Sequence, residues 1–353
     1  MIEEEPQSFD RVLSSMCTEP HPAARAAAHR FLATNPGDPA TYPGVASLEQ
    51  QVVEKLGELV GLDSPAGYVA SGGTEANIQA VRLARNDAEK TSPNMVIPAN
   101  GHFSFWKASE LLDIECRESS ISSEYTADVE AMNELIDENT ILVAAVAGST
   151  EYGRVDPVTE IAEIATDHGI HCHVDAAWGG FILPFTSYQW NFADAAIDSM
   201  TIDPHKFGRA AIPAGGFLVR ESAMLDRLRV QTPYLESQDQ FALGGTRSGG
   251  GVASAAAALR AQWPDGYERQ FDRCQANAEW LASAFDQHDL GPTDPWLPIV
   301  TANLSTDTFH RLRDRGWRIA RTEAGELRIV CMPHVTRSIL QSFMKDLQSV
   351  TKN

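Results

Sequence analysis

The chain has 353 residues, 43% of them hydrophobic, and a formal net charge of −20. That length accommodates a large domain with a smaller companion, and the apolar content excludes a disordered chain. The negative charge disfavours nucleic acid and anionic membranes as partners, because their phosphates would be repelled.

Only six of the 28 basic residues are lysines, at 55, 90, 107, 206, 345 and 352. An acidic, lysine-poor surface suits a halophile, whose high internal salt screens self-repulsion. The five cysteines show no CxxC spacing, as expected in a reduced compartment. The opening Met1-Ile-Glu-Glu-Glu5 lacks the basic and apolar parts of a leader. Apolar runs such as 141–148 are too short to cross a bilayer. A cytoplasmic protein is expected.

Residues 1–46 are rich in Pro, Ala and Gly and read as an N-terminal arm with one helix. Ser47 is expected to cap a helix over 48–60, whose apolar positions 48, 52, 53, 56, 59 and 60 share one face. From about 66 to 230 short apolar runs alternate with helical stretches. The runs lie at 95–98, 114–116, 141–147, 171–174, 200–202 and 216–219, the helices at 74–90, 128–137 and 158–168. This alternation predicts an α/β fold with a mainly parallel sheet covered by helices, spanning 47–264. Pro264-Asp265-Gly266 marks a break, followed by a linking helix over about 267–287. Strands near 299–304, 317–321 and 326–331 and a last helix over 336–350 predict a small α+β C-terminal domain within 265–353.

The chemistry gathers at strand ends. A β-branched, apolar run ends on Asp175, and a second short strand leads into His205-Lys206. An acid and a lysine so placed are what pyridoxal 5′-phosphate (PLP) requires. The lysine forms a Schiff base with the aldehyde, and the acid keeps the ring nitrogen protonated so that the ring can absorb electrons. With so few lysines, Lys206 is unlike an ordinary solubilising charge, the bland alternative for a loop lysine. Ser71-Gly-Gly-Thr-Glu-Ala-Asn77 opens a helix. Its backbone N–H groups and the Thr74 hydroxyl can cradle an anion, and the plain alternative is an ordinary helix start. His102 begins another helix, where it could stack on a flat ring or serve as a cap. Thr150, in Gly148-Ser-Thr-Glu-Tyr-Gly153 after an apolar strand, is placed to bond a cofactor edge, or simply belongs to a turn.

His171, His173 and Asp175 alternate along one strand, so they share a face. A metal site is the rival reading, set against the role of Asp175 opposite Lys206. Leu243-Gly-Gly-Thr-Arg-Ser-Gly-Gly-Gly251 could add donors to a phosphate, even across a subunit interface. Arg328 sits inside an apolar strand, where a guanidinium requires an anion. That anion is a substrate carboxylate or a structural salt-bridge partner.

Taken together, SGGTEAN, the His of NGHFSFWK, GSTEYG, HVDAAWGG and DPHK occur in an order that resembles the group II PLP-dependent amino-acid decarboxylases, and most closely the archaeal tyrosine/aspartate decarboxylases. The resemblance runs from about 40 to 350. It implies the PLP-dependent transferase fold of the aspartate-aminotransferase type (fold type I). It also implies a homodimer with PLP as cofactor. Gly73 and Thr74 match phosphate binders, His102 the residue over the ring face, and Ala177 the one beneath it. Thr150 matches a cofactor contact, Asp175 the ring-nitrogen partner, His205 a phosphate and catalytic neighbour, and Lys206 the Schiff-base lysine. Arg328 matches the arginine that holds the substrate carboxylate. For the proton donor, His205 and Tyr234 both qualify. The implied reaction is decarboxylation of L-aspartate to β-alanine for coenzyme A synthesis. L-tyrosine, L-glutamate and a sphingosine-phosphate-type carbon–carbon cleavage are the alternatives.

Overall fold

A computed structural model describes residues 7–351. The opening residues read above for a leader lie outside them. The chain divides into two compact units. The larger comprises Pro20–Thr150 and Arg154–Tyr267, and the smaller comprises the chain up to Glu19, Glu151–Gly153 and Glu268 onward.

The larger unit opens with α1 (Pro22–Arg30) and α2 (Pro43–Leu59). The second helix starts five residues before the expected Leu48, because Pro43 occupies its first turn with φ already set for a helix. Ser47 therefore lies inside the helix. Strand β1 (Ala66–Ala70) leads into α3 (Gly73–Asp87). Then follow β2 (Asn94–Pro98), α4 (Ser104–Leu112), β3 (Glu115–Ser119), α5 (Val129–Glu134), β4 (Thr140–Val146) and α6 (Val158–His168). Helix α5 stops short of the expected 137, where Asp137 turns back to accept the backbone N–H of Asn139. Strands β5 (His171–Asp175), β6 (Ser199–Ile202) and β7 (Gly215–Val219) complete one sheet.

The sheet order is β1-β7-β6-β5-β4-β2-β3, and only β7 runs antiparallel to its neighbours. Every residue of β2, β4, β6 and β7 is buried. Strands covered on both faces are mainly apolar, which is why the sequence announces them. A two-residue-per-strand hairpin, β8 (Val230–Gln231) and β9 (Asp239–Gln240), precedes α7 (Gly249–Gln262).

The chain passes through α8 (Asp265–Asp286) into the smaller unit, where β10 (Ile299–Ala302), α9 (Thr306–Asp314), β11 (Ala320–Arg321), β12 (Leu327–Val330) and α10 (Arg337–Thr351) follow. Its sheet has the order β10-β12-β11, antiparallel throughout. Strand β11 is shorter than the expected 317–321 because the backbone of Trp317 bonds back to Leu312 and that of Arg318 pairs with Arg11 and Leu13. Among the described residues no helix is long and apolar enough to cross a membrane.

Candidate active site

Parallel strands expose their carboxyl ends on one edge of a sheet, and ligand sites form there. Four such ends converge in the larger unit. The β1–α3 turn supplies Gly72, Gly73 and Thr74. The end of β4 supplies Gly148 and Thr150, β5 supplies Asp175 and Ala177, and β6 supplies Asp203, His205 and Lys206. All line one cavity of about 310 Å³, together with His102 from the approach to α4. The sequence-derived residues Gly73, Thr74, His102, Thr150, Asp175, Ala177, His205 and Lys206 are thus brought together.

Local geometry fixes each of them. Gly148 adopts φ +103, and a Cβ there would lie 2.9 Å from the Gly179 Cα, so only glycine turns β4 toward Thr150. Gly73 is tightly enclosed, since a Cβ would stand 3.0 Å from Asp203 Oδ2 and 3.2 Å from the Ala177 Cβ. The first turn of α3 is tied down by Glu75, which accepts the Ser71 N–H at 2.8 Å and the Tyr68 hydroxyl at 2.8 Å. Gly72, Gly73 and Thr74 thus line the cavity at a helix N-terminus, the arrangement that favours an anion, and the Gly73 N–H already meets a carboxylate there.

Asp175 is buried and accepts two hydrogen bonds, from Asn77 Nδ2 at 2.7 Å and from the Ala177 N–H at 3.0 Å. Lys206 Nζ lies 3.3 Å from Asp203 Oδ2, which also accepts the Gly73 N–H at 3.0 Å. The same oxygen is 3.7 Å from His205 Nε2, whose Nδ1 is held 2.7 Å from the Ala214 carbonyl oxygen. The other carboxylate oxygen of Asp203 is buried with no hydrogen-bond partner among the described residues. Burial holds the His102 imidazole below its ordinary pKa, with Asp175 opposing that shift and Lys206 adding to it. His102 therefore tends to the neutral ring that stacks on a flat group.

The HxHxD strand does share a face, but its side chains have other partners. His173 Nδ1 meets Ser199 Oγ at 2.8 Å and its Nε2 meets Asn77 Oδ1 at 3.0 Å. No cluster of three metal-ligating side chains occurs among the described residues. The glycine-rich 243–251 segment is also engaged within the chain. Arg247 pairs with Glu49 through both guanidinium nitrogens, one at 3.0 Å, and Ser248 caps α7 by accepting the Gly251 N–H at 3.0 Å. Tyr234 is 84% exposed between β8 and β9 and does not line the cavity. Arg328 belongs to the smaller unit, where it donates to the Ser14 carbonyl at 2.8 Å. Burial lowers its pKa and the Glu151 carboxylate opposes that.

Two residues escaped the sequence reading. Asp203 stands inside the very motif that names Lys206, and Asn77 follows Gly73 by one helical turn, which places both on one face of α3. Their roles emerge only once α3 packs against the ends of β5 and β6.

A cavity at this edge of such a sheet, with an anion cradle, a lysine and a buried carboxylate as acceptor, defines a fold type I PLP enzyme. The cradle that a Cβ would fill at Gly73 and the acceptor-only Asp175 both fit that cofactor. The chain belongs to the pyridoxal-dependent decarboxylase family, whose conserved domain matches residues 32–289. It is 58% identical over 343 residues to the probable L-aspartate decarboxylase of Haloarcula marismortui, covering 97% of this chain and 98% of that one. It is 42% identical to the probable L-tyrosine/L-aspartate decarboxylase of Methanothrix thermoacetophila, covering 97% and 91%. Among solved structures, Burkholderia pseudomallei sphingosine-1-phosphate lyase superposes with a TM-score of 0.89 at 22% identity, covering 97% of this chain and 85% of that one. That likeness establishes the fold.

Proposed function

We propose that this PLP-dependent decarboxylase acts on L-aspartate, releasing the α-carboxylate as CO₂ and yielding β-alanine, a precursor for coenzyme A. The observation that carries the substrate is the 58% identity to a relative of that name across nearly the whole of both chains. L-tyrosine is the second reading, favoured by the name of the 42% relative.

When bound, PLP supplies a conjugated ring that accepts the electron pair of the breaking bond. The chain's part is to orient and to manage protons. Asp175, fixed by Asn77 and the Ala177 N–H, offers an acceptor that keeps the ring nitrogen protonated. Lys206, held by Asp203, is the amine that anchors the cofactor. Gly73, Thr74 and His205 are proposed for the phosphate, His102 and Ala177 for the ring faces and Thr150 for an edge. Arg328 is the proposed partner of a substrate carboxylate. His205, its Nδ1 held by the Ala214 backbone, is the candidate proton donor within the cavity, with Tyr234 the alternative. The active form is proposed to be a homodimer.

Initial rates with L-aspartate, L-tyrosine and L-glutamate in molar salt test the substrate. L-aspartate should give the highest kcat/KM, with β-alanine and CO₂ in equal amounts. Tyramine or γ-aminobutyrate as the preferred product would reject the aspartate reading.

A further inference from the structure

The Asp175 carboxylate is the visible end of a buried polar file. Asn77, His173, Ser199 and Thr201 are all fully buried. They come from α3, β5 and β6, and the register that sets His173 opposite Ser199 and Asp175 opposite Thr201 brings them together. The Asn77 amide has no spare capacity. Its two N–H groups go to Asp175 Oδ2 at 2.7 Å and Ser104 Oγ at 2.8 Å. Its oxygen accepts from the Thr201 hydroxyl at 2.6 Å and meets His173 Nε2 at 3.0 Å.

The charge of Asp175 sets the direction of every bond in the file. An ionised carboxylate only accepts, so the amide nitrogen of Asn77 must face it. The opposite orientation would bring two acceptors to 2.7 Å. The amide oxygen then faces His173 Nε2, which also lies 3.2 Å from Thr201 Oγ1; with the Thr201 hydrogen given to the amide oxygen, both neighbours are acceptors and Nε2 must carry the proton. His173 Nδ1 is left as an acceptor for the Ser199 hydroxyl, and Ser199 Oγ in turn accepts from His171 Nε2 at 2.8 Å. Burial pushes His173 down to about 3, so the ring stays neutral and the single proton is decisive. From Asp175 to His171 the file runs the length of β5, about 13 Å at the ordinary strand rise.

We propose that Asn77 is a positioning residue for the reaction, locking Asp175 in place and fixing His173 as its Nε2–H tautomer. This rests on Asp175 as the ring-nitrogen partner. A buried amide with every position used has one orientation, and so has the carboxylate it holds. Ser199 and His171 extend the same polarity away from the cavity and leave no member of the file free to rotate.

The test is ¹⁵N NMR of the histidine side chains in the apoprotein, joined to steady-state kinetics of Asn77→Ala holoenzyme. In the wild type, His173 should carry its proton on Nε2 alone, and a proton on Nδ1 would overturn the proposal. In Asn77→Ala, His173 should populate both tautomers. Its kcat should fall about tenfold or more, with KM for L-aspartate changed by less than about twofold. An Asn77→Ala enzyme with an unchanged kcat and only a lower melting temperature would also overturn it. If that variant does not fold, the wild-type tautomer still decides. The tautomer is read without cofactor or substrate, so an error in the substrate assignment leaves it untouched.

Discussion

At the scale of single residues the site separates groups that meet the cofactor from groups that hold those in place. Asp175→Asn can retain the bond to the Ala177 N–H but then turns its own amide nitrogen toward the Asn77 amide nitrogen, and it cannot hold a ring nitrogen protonated. Turnover should fall by at least about tenfold, and the broken bond to Asn77 should lower the melting temperature without abolishing the fold. Near-wild-type kcat in that variant would remove Asp175 from its role. Arg328 offers a sharper contrast. If it holds a substrate carboxylate, Arg328→Lys should raise KM about tenfold, because an ammonium does not reproduce the planar fork. If its bond to the Ser14 carbonyl is its whole purpose, the melting point should drop while KM stays. His173 gives a pH signature. Its folded pKa is lowered from 6.5 to about 3, so the unfolded chain binds a proton that the folded one refuses. The associated stability is present above pH 6.5 and is lost as pH falls toward 3. Denaturant midpoints of wild type and His173→Gln should therefore diverge with pH across that window, and parallel curves would contradict the assignment.

At the scale of elements, the sequence was most legible where strands are buried on both faces. β4 and β7 read as apolar runs because no position meets water. β1 was hidden by Gly67, and α9 by a charged surface that leaves only Thr308, Phe309 and Leu312 buried. The motif residues of the site were legible because each sits beside its own strand end. The file behind Asp175 was not, since Asn77, His173 and Ser199 become neighbours only once β5 and β6 adopt their register and α3 packs across them. The turn after β4 can be tested directly. Gly148→Ala forces a side chain into φ +103 and against Gly179, a strain of about 1–3 kcal/mol. Thermal melts should show a clear loss of stability together with weaker PLP binding, as Thr150 is displaced. An unshifted melt would mean the turn tolerates a side chain.

At the scale of the whole molecule the net charge of −20 dominates. Like charges repel within the folded chain, and added salt screens them over a Debye length of about 3 Å at 1 M. Melting temperature should rise with salt, and a flat response would contradict a halophilic design. The composition also explains why Lys206 is so informative. In a chain with six lysines, one of them on a cavity wall beside a buried carboxylate is placed for chemistry. The proposed chemistry depends on that residue, and one measurement tests it most directly. Holoenzyme reduced with borohydride and mapped by peptide mass spectrometry should carry the cofactor on Lys206 alone. Cofactor fixed on Lys55, Lys107 or any other lysine, or none fixed at all, would contradict it.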